Sequence, residues 1–82
     1  MIEVARLWKS ETDAHGLAQR VMLAGLCFHA HVVDVESPAA SGSYWSVQVE
    51  EIVIPDAVAW FVRGFLGGIG DEGECMLSEQ RR

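Results

Sequence analysis

The chain has 82 residues, half of them apolar, with 12 acidic and 6 basic side chains and a formal net charge of −6. That length makes one domain, which buries about 60–65% of its unfolded surface, and that apolar content argues against disorder. An acidic surface repels phosphate backbones and anionic membranes, so neither nucleic acid nor membrane is an expected partner.

Residues 2–8 (IEVARLW) alternate apolar and polar and predict a first strand. Ser10, Thr12 and Asp13 follow, all able to accept from the free N–H groups of a helix start. A helix is expected from Thr12 or Asp13 to Cys27–Phe28, with Ala14, Leu17, Ala18, Val21, Ala24 and Phe28 at helical spacing. Leu23 lies off that stripe and predicts a minor second face. Gly25 falls inside the stripe, which suggests close packing against a sheet. Residues 30–35, with Val32, Val33 and Val35, predict a second strand.

Pro38 and residues 39–43 predict a loop. Residues 44–54 (YWSVQVEEIVI) predict a third strand with Trp45, Val47 and Val49 on one face. Past Glu50 the apolar parity flips to Ile52 and Ile54, so a bulge or the strand's end is expected at Glu50–Glu51. Pro55 and Asp56 announce a second helix over residues 57–69, with a stripe of Val58, Phe61, Val62, Phe65 and Ile69. Gly67, Gly68 and Gly70 are expected to end it. Residues 71–82 are polar and read as a mobile tail outside a domain of residues 1–70.

The first two strands flank a helix, so a right-handed crossover is expected. The second and third strands, joined by a short loop, should form an antiparallel hairpin. The expected fold is therefore α+β, a βαββα domain in a truncated ferredoxin-like form. Its three-stranded antiparallel sheet has the order 1-3-2, with both helices on one face.

The stretch LAQRVMLAGLCFHAHVVD behind Asp13–Ala14, and VQVEEIVIPDAVAWFVRGFL, resemble the helix–strand and closing strand–helix of a family of small prokaryotic domains. That family is described as signal-transducing proteins of unknown function. The resemblance covers residues 2–69 and implies this fold without an activity. Cys27–Phe28 stand where the family usually has Gly–Ile.

Two cysteines, Cys27 and Cys75, make no disulfide framework, and no signal peptide or membrane span is expected, so a reducing cytoplasm is the simplest compartment. Cys27, His29 and His31 alternate and would share a side of an extended segment, a partial zinc or copper set lacking a fourth ligand. The simpler reading is a buried cysteine beside two partly exposed histidines, so no metal or cofactor is expected. Asp34, Glu36, Glu50 and Glu51 could face each other across the hairpin as acid and base. The simpler reading is a solvated rim. No nucleophile has a triad context, so no catalytic residue is assigned.

The aromatic residues carry more. Trp60 falls off the core stripe of its helix with Arg63 near it, and Trp45 sits beside Tyr44 in the third strand. Tryptophan and arginine are enriched at interface hot spots. The expectation is a non-enzymatic domain, acting as a homodimer that binds protein or a small ligand. Its interface would use Tyr44, Trp45, Trp60 and Arg63. The routes considered are the open sheet face and the edge of the third strand. The rival is a small metal-binding protein or enzyme using Cys27, His29 and His31 or the hairpin carboxylates.

Overall fold

The computed structural model describes residues 1–36, 42–69 and 73–77. Its elements run β1 (Ile2–Leu7), α1 (Glu11–Leu23), β2 (His29–Val35), β3 (Tyr44–Glu50), α2 (Pro55–Ile69) and β4 (Glu74–Cys75). The sheet is antiparallel, with strand order β2-β3-β1-β4. The 1-3-2 order of the first three strands is thus as expected. The three-stranded expectation is corrected: a fourth strand, present in short form, pairs Cys75 with Ala5 and Glu74 with Arg6. Sequence alone hides it because two residues carry no periodicity. The segment read as a tail therefore contributes Glu74–Cys75 to the sheet, and of its residues only 73–77 are described.

Helix α1 begins one turn-position earlier than expected, at Glu11. Ser10 is its cap, with an Oγ that accepts the Asp13 N–H at 3.1 Å. It also ends four residues earlier than Cys27. Gly25 takes φ +75°, and the Gly25 and Leu26 N–H groups donate back to Met22 and Val21. Those two bonds form a Schellman close, which satisfies carbonyls the last turn would otherwise orphan. Gly25 is therefore a helix terminator, not a close-packing residue; an added Cβ there would meet nothing within 4 Å. Ala14, Leu17, Ala18 and Val21 are buried as expected, while Ala24 and Phe28 lie beyond the helix and are exposed.

Strand β3 stops at Glu50, and Glu51 adopts φ +57°, so the parity flip marks the strand's end. In β1 the register to β3 shifts between Glu3 and Ala5, leaving Val4 as the extra residue. That bulge lets Val4 and Ala5 both turn inward, consecutive residues that a regular strand would send to opposite faces.

Directly paired residues share a face of an antiparallel sheet. Ala5, Leu7, Val47 and Val49 form the buried face. They pack with Leu17 and Val21 of α1 and with Val58, Val62 and Leu66 of α2. Fully burying each Val or Leu contributes about 1.5–3 kcal/mol against the chain entropy lost. Phe61 and Phe65 are half-buried at the margin of this core. Helix α2 continues through Gly67 and Gly68 to Ile69. Gly70, expected among its terminators, and most of the loop containing Pro38 lie outside the described residues. No helix among the described residues is long and apolar enough to cross a membrane.

Candidate interaction surface

The second sheet face carries no helix among the described residues, and its register explains its chemistry. Glu3 pairs with Gln48 and Arg6 with Ser46, so these four side chains meet on that face. Arg6 Nε donates to both Glu3 carboxylate oxygens at 3.1 Å. Ser46 Oγ donates to Glu3, and Gln48 Nε2 donates to Ser46 Oγ at 3.2 Å. Under these side chains Ser46 is fully buried although no helix covers it. The Arg6 guanidinium also lies 4.8 Å from the Tyr44 ring centroid, and Trp8 meets Tyr44 edge-on at 4.9 Å. The hydrogen bond to Glu3 is the main reason the Arg6 pKa is pushed further up.

This network was not legible in the sequence. Trp8 and Ser46 have no informative neighbours along the chain; they meet Tyr44 and Glu3 only through the β1–β3 register. The network bears on the open sheet face as a route to association. The centre of that face is a polar lattice whose donors and acceptors already bond one another, so covering it offers little apolar gain.

Toward β2 the same face carries His29 and His31, whose rings stack with centroids 6.3 Å apart. His31 Nε2 lies 3.4 Å from Glu50 Oε2. Cys27 does not join them. It precedes the strand and is buried in the core, where desolvation pushes its thiol pKa up. The two histidines are exposed. Among the described residues no group of three or more His, Cys, Asp or Glu is placed to hold a metal ion.

The hairpin carboxylates are separated too. Asp34 pairs with Trp45 and so lies on the helix side of the sheet, whereas Glu50 pairs with His29 on the open side. Glu51 sits in the turn that follows β3, and Glu36 follows β2.

The four expected interface residues fall at different places. Tyr44 is half-buried in the open-face network, and Trp45 is half-buried against the core on the opposite face. Arg63 Nη2 donates to the Leu77 carbonyl at 3.3 Å, which fastens the segment after β4 to α2. Trp60 is 67% exposed on the outer side of α2, with exposed Asp56 and Gly64 one turn to either side. The third strand's edge is not available, because β3 is paired on both sides. The long edge without a strand partner among the described residues belongs to β2.

No family model, curated protein or solved structure matches this chain.

Proposed function

We propose that the domain is a non-enzymatic association module of the cytoplasm that works as a homodimer and docks a protein or small regulatory ligand. The βαββαβ order with its four-stranded sheet supports reading it as a ferredoxin-like scaffold, a framework that hosts many functions and implies none by itself. Kinship with the small signal-transducing domains it resembles is part of the same proposal. Two free cysteines suit a reducing compartment.

The observation that carries the reading is Trp60. A tryptophan 67% exposed on a regular helix, with a glycine one turn ahead of it, keeps a large apolar ring in water without cover from its own helix. Rings of this kind dominate association energetics because they desolvate large areas at little conformational cost. Tyr44, Trp45 and Arg63 are then supporting residues. Tyr44 and Trp45 stiffen the sheet, and Arg63 holds the segment after β4 against α2.

The test is Trp60→Glu. Its side chain is outside the core, so the helix content by circular dichroism should stay unchanged while native mass spectrometry shows a loss of dimer. A variant with the same dimer fraction as the parent chain removes Trp60 from the interface.

A further inference from the structure

We propose that the outer edge of β2 is the self-association edge, where the β2 strand of a second copy pairs antiparallel about a two-fold axis at Val32. This rests on the reading that the domain self-associates and differs from it in the seam: α2, with Trp60 on its outer side, packs against β1 and β4 at the other end of the sheet, so here Trp60→Glu keeps the dimer and a β2 variant loses it.

The two edges of the sheet are unlike. At one end β4 is only two residues long, the kind of short edge strand that offers little to an incoming chain. At the other end β2 runs for seven residues and pairs with β3 in unbroken register from His29–Glu50 to Val35–Tyr44. Its opposite side has no strand partner among the described residues. A strand paired on one side directs alternate N–H and C=O groups outward in a row. Only another extended backbone matches that row of donors and acceptors. Of the usual defences of an exposed edge, HAHVVDV carries no proline, lysine or bulge, and its one carboxylate is Asp34, near one end of the strand.

A second copy supplies a matching strand already held in extended form by its own β3, so pairing costs less ordering entropy than capturing a flexible peptide. The sequence also selects the register. Val32 is the midpoint of His29–Val35, so a two-fold axis there uses the whole strand. It sets His29 opposite Val35, Ala30 opposite Asp34 and His31 opposite Val33. With histidines neutral, Asp34 is the one formal charge in the strand. The Val32-centred register keeps the two Asp34 carboxylates at opposite ends of the ladder. Sliding the axis to Val33 brings them closer, and sliding it to Asp34 sets like charges face to face, which is destabilising. Sliding the axis toward His29 shortens the ladder. In the chosen register the exposed Val33 gains a cross-strand neighbour, and the two four-stranded sheets become one continuous sheet.

The experiment is amide hydrogen exchange on the unmodified chain at low and high protein concentration, run beside native mass spectrometry. The expected result is a dimer in which amides of residues 29–35 exchange more slowly as concentration rises. Val33→Lys, at an exposed position on the open face, should weaken dimerisation by roughly tenfold. A dimer whose β2 amides ignore concentration overturns the edge pairing and leaves the association reading intact. A chain that stays monomeric at every concentration overturns both. The exchange result decides the matter even if Val33→Lys does not fold.

Discussion

Gly73→Ala tests whether the short fourth strand belongs to the fold. A Cβ at Gly73 would stand 2.7 Å from Leu66 Cδ2, 3.1 Å from the Arg6 carbonyl oxygen and 3.3 Å from Leu7 Cγ. Leu66 is the end of a side chain and can turn away, but the Arg6 oxygen is backbone in β1 and cannot. The chain has two ways out. It can shift Leu66 and β4 by a few tenths of an ångström, an overpacking strain of about 1–3 kcal/mol. Or it can release β4, losing its two paired residues and the Met76 N–H bond to the Val4 carbonyl, with net contributions of about 0.5–1.5 kcal/mol per hydrogen bond. The smaller of these sets the expected loss, about 1–2 kcal/mol. For a domain of this size each kcal/mol lowers Tm by roughly 4–8 °C. Urea unfolding followed by circular dichroism measures it. Gly64→Ala is the matched control: its Cβ would meet nothing within 4 Å, so replacing a helical glycine should stabilise by about 0.5–1 kcal/mol. If Gly73→Ala is as stable as the parent while Gly64→Ala gains stability, β4 does not pack on β1 and the four-stranded sheet is wrong.

Glu51 holds φ +57°, where an L-residue costs about 1–2 kcal/mol. Glu51→Gly should therefore raise the urea midpoint slightly, with the relief of strain partly offset by the glycine's extra unfolded-state freedom; a lowered midpoint would mean the Glu51 side chain contributes more than its backbone costs. The Cys27 thiol, its pKa raised by burial, stays protonated in the folded state at pH values where the unfolded chain has begun to ionise. Between those two pKa values the folded state binds more protons, so stability should fall as pH rises through that window. Iodoacetamide should label Cys75 well before Cys27 in the native protein and both alike in denaturant; equal native rates would contradict the burial of Cys27.

Much of the architecture was legible along the chain because it rests on local rules. Alternation marked β1 and β3, helical spacing marked Leu17, Val21, Val58 and Val62 as core, and Pro55 marked the start of α2. The misreadings share a cause. Gly25 and Phe28 fit a helical stripe by spacing, but spacing does not register that φ +75° at Gly25 ends the helix first. Cys27, His29 and His31 alternate in sequence, yet strand geometry begins only at His29. Of the interface candidates, Trp60 is exposed as its place off the helical stripe implied, and the others are scattered, since one-dimensional proximity placed Tyr44 beside Trp45 while the pleat sends them to opposite faces.

The sequence by itself determined the first five elements, apart from some of their ends, and most of the core, because capping, periodicity and charge are properties of near neighbours. The tertiary structure alone decided the rest. A bulge at Val4 set which β1 residues meet β3, and that register built the Arg6–Glu3–Ser46 network from residues about forty positions apart. Strand order decided that β3 is interior, that the two-residue β4 forms one edge and that β2 has a long side without a strand partner among the described residues. Hydrogen bonds between strands are made by backbone groups common to almost every residue, so the chain's letters say little about which strand will lack a neighbour.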